Sequence, residues 1–178
     1  PTPNAFQPGA PWTYDLDPSA PLGMVVINEI LASNQGGITD EDGDSSDWLE
    51  IRNIGAEAVN IGGWSVTDDP DEPGKFPLPA RNLGPNQYLL IFASTKDRSP
   101  GSGEIHANFQ LNTAPEYLGL YSNESPRLVV SELAPTYPPQ RTNVAYGRTG
   151  TGEYAYLVTA TPGSSTASGG MRWSTWAG

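Results

Sequence analysis

Residues 40–53, DEDGDSSDWLEIRN, run an acidic turn directly into an alternating strand. Asp40, Asp42, Asp44 and Asp47 crowd around Gly43 in the turn. In the strand Leu49 and Ile51 point one way and Glu50 and Arg52 the other, the period of two that marks a half-buried β-strand. A loop this charged either stays in water or holds a cation, and the strand behind it ties it to a core. Neither half has the make-up of catalytic machinery.

Working outward, the same grammar repeats. Gly (20 residues) and Pro (18) punctuate a chain of 178 so densely that long helices are excluded, while five Trp, eight Tyr and four Phe supply apolar bulk. Val25–Ala32 is a strand whose faces read Val25/Ile27/Glu29/Leu31 and Val26/Asn28/Ile30. The buried Glu29 then needs a partner, and Arg52 and Arg148 are candidates. Residues 87–93, QYLLIFA, are apolar without interruption and predict a central strand buried on both faces. Further short strands fall at 59–61, 64–67, 75–78, 109–111, 117–121, 128–133, 144–148 and 154–159. Short strands at intervals of roughly 8–12 residues, with turn signals between them, predict an all-β, immunoglobulin-like β-sandwich. The proline-rich residues 1–23 read as a linker or arm, with Trp12 and Tyr14 as docking aromatics. The domain proper spans 24–163, and the Ser/Gly-rich 164–178 reads as a C-terminal linker containing Trp173 and Trp176.

Charge narrows the function. Residues 40–72 carry eleven acidic side chains against one basic, Arg52, and so account for nearly all of the net −11. Phosphate recognition needs basic clusters, which this chain lacks, so nucleic acid is excluded as an expected partner. Acidic loops suit solubility or divalent cations. Cysteine is absent, which removes disulfides and thiolate metal sites. No apolar run approaches the ~18–20 residues of a spanning helix, and the start at Pro1 without an apolar leader reads as a mature fragment or excised domain.

Asp40, Asp42, Asp44 and Asp47 form a candidate calcium loop: calcium takes six to eight oxygen ligands, and Gly43 lets the backbone fold back on an ion. The alternative is a solvated acidic turn. The spacing is not that of an EF-hand, whose sixth and twelfth positions would fall on Ser45 and Ile51. Asp68, Asp69 and Asp71 form a weaker acidic turn. His106 is the sole histidine, so a catalytic zinc site is not expected. Ser33, Ser94 and Ser131 stand in no nucleophile-elbow context. Trp48, Trp64, Trp173 and Trp176 are either packing residues or stacking platforms for sugars.

An ordered set of these segments resembles the lamin tail domain family in its bacterial, exported branch. It comprises Ile27-Asn28-Glu29-Ile30 with Ala32-Ser33-Asn34, Asp40–Gly43 with Asp47-Trp48-Leu49-Glu50-Ile51, and Gly63-Trp64 with Thr67-Asp68-Asp69-Pro70. Tyr88–Ser94 with Lys96-Asp97-Arg98, His106-Ala107-Asn108-Phe109, Glu116-Tyr117-Leu118, Tyr146-Gly147-Arg148 and Thr161-Pro162-Gly163 complete it. The resemblance covers roughly residues 24–163 and implies an immunoglobulin-like sandwich without enzymatic activity. The nuclear branch of the family binds proteins and DNA; the coiled coil and basic segments of that branch are missing, so those roles are not carried over. The expectation is a non-catalytic interaction or adhesion module of a larger exported bacterial protein, extracellular or at the cell surface and stabilised by calcium. The alternative is a glycan-binding module that targets a neighbouring enzyme domain to polysaccharide. Exposed coplanar aromatics would favour the alternative, an exposed apolar patch or open sheet edge the first reading.

Overall fold

The computed structural model describes residues 24–172; the expected arm with Trp12 and Tyr14, and the tryptophans at 173 and 176, lie outside the described residues. The strands in chain order are β1 (Val25–Leu31), β2 (Asp47–Asn53), β3 (Val59–Asn60), β4 (Ser65–Thr67), β5 (Phe76–Pro77), β6 (Asn82–Leu83) and β7 (Tyr88–Ala93). They continue with β8 (His106–Ala107), β9 (Leu118–Tyr121), β10 (Val129–Leu133), β11 (Tyr146–Arg148), β12 (Tyr154–Leu157) and β13 (Met171–Arg172). Among the described residues the one helical element is a 3-10 turn, Thr166–Gly169. Seven strands form one sheet in the order β13-β12-β11-β1-β2-β7-β8, four form a second in the order β10-β9-β4-β5, and β3 pairs with β6. The result is an all-β, immunoglobulin-like sandwich, as the turn spacing predicts.

Its main core lies between the sheets. Val25, Ile27 and Ile30 of β1, Leu49 and Ile51 of β2, and Ile91 of β7 meet Val66, Phe76, Leu118, Leu120, Val130 and Leu133 from the opposite layer. Trp64 packs there as well, and Trp48 is fully buried elsewhere, so neither is a surface platform. The strand at 87–93 is not central: β7 lies one short strand from the sheet edge, and Tyr88–Leu90 are only half-buried. Its unbroken apolar run has a different cause, a second core on the outer face of the sheet.

That second core comes from the register. Leu31 is opposite Trp48, Trp48 opposite Phe92, and Phe92 opposite His106, so these four form one row across the outer face. Leu31, Trp48 and Phe92 cluster with Ala145 and Leu157 beneath Ile38 and Ala160. A β-bulge between Ile27 and Glu29 makes this arrangement possible. Strict alternation would put Ile27 and Glu29 on one face; the extra residue, Asn28, sends Ile27 inward and Glu29 outward. Past the end of the β11 ladder, the N–H of Ile27 donates to Ser131 Oγ (3.0 Å) and its carbonyl accepts from Tyr154 Oη (2.5 Å), so the irregularity leaves neither group unpaired.

The outer face is roofed by the chain after β12, which from residue 164 onward the sequence assigns to a linker. Residues 158–170 form a strap: Val158 N donates to Gly170 O and Thr159 N to Gly169 O, and β13 adds to β12 through Tyr156–Arg172 and Leu157–Met171. Ser165 caps the 3-10 turn by accepting from Ala167 N. Sheet pairing thus continues to β13 at residues 171–172, past the boundary expected at 163. The strap lies flush because β11 offers Gly147 beneath it, where an added Cβ would come within 3.1 Å of Thr166 Cγ2 and 3.0 Å of Leu157 Cδ1.

Candidate functional site

The acidic turn folds around the Asp40 side chain. Gly43 adopts φ 85°, which reverses the chain so that Asp40 N reaches Asp44 O (2.9 Å) and Gly43 N reaches Asp40 O (2.9 Å). Asp40 Oδ1 accepts from the backbone N–H groups of Asp42 (3.1 Å) and Asp44 (3.0 Å), while Oδ2 accepts from Ser46 Oγ (2.9 Å). The cation at the centre of the turn is Lys96. Its ammonium lies 2.7 Å from Asp40, 2.7 Å from Asp42 and 2.9 Å from Asp44. Arg98 continues the network, pairing with Asp42 and, at 3.2 Å, with Glu41.

Both cations arrive from the loop after β7, where Thr95 and Asp97 take positive φ and Arg98 exchanges two backbone hydrogen bonds with His106 (2.8 Å each). His106 is fully buried, stacked on Phe92 and bonded through Nδ1 to Ser94 Oγ (2.9 Å). Burial and the neighbouring Arg98 lower its pKa, so the ring is neutral at physiological pH. Burial opposes the charge on Asp40, but the bonds from Lys96, Ser46 and two amides outweigh it and hold the pKa at about 2. Burial likewise works against the Lys96 charge, and the carboxylates of Asp40, Asp42 and Asp44 overcome it, raising its pKa.

Of the four predicted ligands the structure gathers Asp40, Asp42 and Asp44, whose oxygens lie within 4.8 Å of one another. Asp47 is not with them. As the first residue of β2 it turns to Asn34, accepting from its N–H at 2.9 Å, and burial raises its pKa. It lines a separate polar cavity of about 470 Å³ with Asn34, Gln110, Asn112 and Glu116. Glu41, Glu104 and His106 make a second group of ligating atoms beside the first, with His106 Nε2 3.6 Å from Glu104 and 3.8 Å from Glu41. Sequence reasoning missed Lys96, Arg98, Glu104 and His106 as partners of the turn, although Lys96-Asp97-Arg98 and His106 stand out as motif pieces.

The sequence model of the lamin tail domain family matches residues 18–145, more than two thirds of the chain, a span that takes in β1, the acidic turn and the strands through β10. The chain belongs to the lamin tail domain family. No curated protein matches it. Lamin tail domains are a non-enzymatic, immunoglobulin-like family that mediates interactions. Among the described residues no helix is long and apolar enough to cross a membrane.

Two expectations for this lamin tail domain change at its buried carboxylates. Glu50 is expected on the wet face of β2 but is fully buried, because the strap covers that face. Glu29 is expected to pair with an arginine; instead Thr161 donates to it from N–H (2.8 Å) and Oγ1 (2.5 Å). Glu50 accepts from Asn28 Nδ2 (2.8 Å) and Gly163 N (2.5 Å).

Proposed function

We propose that the chain is a non-catalytic interaction or adhesion module of a larger exported bacterial protein, working outside the cell or at its surface. The observation that supports the interaction reading is the placement of exposed aliphatic side chains at or next to edge strands. Met171 of the edge strand β13 and Val158, directly after β12, are 45% and 49% exposed, and Leu128 and Val129, at the β10 edge of the second sheet, are 40% and 44% exposed. Edges with apolar side chains and no further strand among the described residues suit a protein partner, through added backbone pairing or side-chain burial.

The glycan alternative draws less support. Trp48 and Trp64 are buried, and the half-buried tyrosines at 154 and 156 have their hydroxyls committed to Ile27 O and Pro139 O. Nucleic acid is disfavoured further by the use of the cations. Lys96 and Arg98 serve the acidic turn, Lys75 pairs with Asp68 (2.6 Å), and Arg81 and Arg127 donate to backbone carbonyls.

Calcium belongs to the proposal as a competitor of Lys96: an ion entering among Asp40, Asp42 and Asp44 has to displace the ammonium. The test has two arms. The domain is titrated against the separately produced neighbouring domains of its parent chain and against a glycan array, in wild type and in Val158→Asp/Met171→Asp. Loss of a protein contact in the variant supports the reading; glycan binding that survives in the variant refutes it. Thermal unfolding in 5–10 mM calcium, roughly tenfold over the ~10⁻⁴–10⁻³ M of extracellular modules, against chelator tests the ion. A shift in wild type that is absent in Asp42→Asn/Asp44→Asn supports binding.

A further inference from the structure

Three segments far apart in sequence meet beneath the strap: Asn28-Glu29 of β1, Glu50 of β2 and Thr161-Pro162-Gly163. Glu29 and Glu50 are direct cross-strand neighbours, and both side chains are closed off from solvent. Each of their four oxygens has a hydrogen-bond partner, three on the strap (Thr161 N, Thr161 Oγ1, Gly163 N) and one on Asn28, and of these the Thr161 hydroxyl can turn to accept from a protonated carboxyl. None of these partners carries a charge. Around the pair, β11 contributes Gly147 and β7 contributes Leu90, neither of which titrates. The charged group acting on the pair is Arg52, further along β2. Its guanidinium is engaged by Asn86 Oδ1 (2.9 Å) and lies over the Tyr88 ring, 5.1 Å from the centroid.

We propose that Glu29 and Glu50 form a carboxylate latch that retains a proton to hold the strap on the sheet, and that ionisation of the pair as pH rises lets the strap lift and uncovers the outer core of Leu31, Trp48 and Leu157. Two adjacent carboxylates enclosed without a counter-ion cannot both ionise at low cost. Burial, reinforced by the Glu29 charge, pushes the pKa of Glu50 up to about 7, and burial raises that of Glu29 as well. With the folded value above the ordinary 4.5, the contribution to the closed state is complete below about pH 4.5 and is lost as pH rises through about 7. The opening is local because the strap's remaining ties to the sheet are few: β13 on β12 and Thr166 Oγ1 on Arg148 O, the bonds of Val158 to Gly170 and of Thr159 to Gly169 lying within the strap itself.

The test is hydrogen exchange of the Thr161 and Gly163 amides in the full chain between pH 5 and 8, corrected for intrinsic rates. The latch predicts that strap opening grows by up to tenfold per pH unit between about pH 5 and 7 and then levels off. Glu50→Gln keeps the shape without the charge and should flatten that slope toward pH 7, and Glu29→Gln/Glu50→Gln should abolish it. The proposal is overturned if the wild-type amides follow intrinsic rates alone, or if Glu50→Gln leaves the slope unchanged. It is also overturned if the strap and the β7 core amides show the same protection factor throughout, since that is global unfolding. Should Glu50→Gln not fold, Glu29→Gln is read by the same criteria. The outcome stands apart from the partner-binding tests, which concern the exposed edges.

Discussion

Leu157→Ala tests whether the chain after residue 160 is part of the fold. Leu157 is 1% exposed and closes the second core beside Leu31, Trp48, Phe92 and Ala145. Its Cδ1 lies where a Cβ on Gly147 or on Gly169 would press against it, at 3.0 and 3.5 Å, so sheet and strap grip it from both sides. Truncation removes three carbons, worth ~2.4 kcal/mol at ~0.8 kcal/mol each, and adds a cavity term that a strap free to settle keeps small. The expected cost is about 3 kcal/mol, read as a lower urea midpoint at unchanged slope. Ending the chain after Gly163 removes the bonds from residues 169 and 170 and takes the roof off Leu157. In that shortened chain Leu157→Ala should cost far less, because the side chain is already wet. A cost in the full chain below ~1 kcal/mol, or equal costs in both chains, would refute the strap's part in the core.

Lys96→Met should lower the melting temperature by leaving Asp40, Asp42 and Asp44 without their shared cation, and calcium should restore more stability to this variant than to wild type; equal calcium shifts count against competition at the turn. Gly169→Ala places a Cβ 2.3 Å from Thr159 O and should destabilise by roughly 1–3 kcal/mol. Gly150→Ala, with nothing within 4 Å, serves as the neutral control in the same denaturation series.

The fold class was legible because it rests on local signals: turn residues every few positions and alternation in β2. The failures arise where alternation is broken or covered. A bulge at Asn28 is invisible to a period-two reading, yet it decides that Glu29 faces the strap. Glu50 reads as solvent-facing because its neighbours alternate, and nothing near it in sequence announces that Thr161–Gly163 returns over it, 113 residues from Glu50 to Gly163. The strap has the Ser/Gly composition of a linker, since its stability comes from bonds to the sheet rather than from side-chain bulk. At the acidic turn the anions are local and legible, whereas the cation comes from Lys96, 56 residues beyond Asp40. A clue existed in the Lys96-Asp97-Arg98 triplet, two basic residues in a chain with nine in all.

The domain handles buried carboxylates in two opposite ways, and this fixes the shape of its stability against pH. At the turn, Asp40 is matched by a cation and by donors, so its pKa falls from 3.8 to about 2. That contribution is present above about pH 3.8 and lost as pH falls through about 2. Beneath the strap no cation is supplied, and Glu50 rises from 4.5 to about 7; at ~1.4 kcal/mol per unit, full ionisation costs about 3 kcal/mol. That loss sets in above about pH 4.5 and is complete once pH exceeds about 7. The two limbs predict a stability maximum near pH 4–5, more acidic than the usual ~5–8. Melting temperatures from pH 2 to 8 measure it: Asp40→Asn should flatten the acid limb alone, and Glu50→Gln the neutral limb alone. A maximum at neutral pH in wild type, or a Glu50→Gln profile parallel to wild type above pH 5, would show that the pair beneath the strap carries no retained proton.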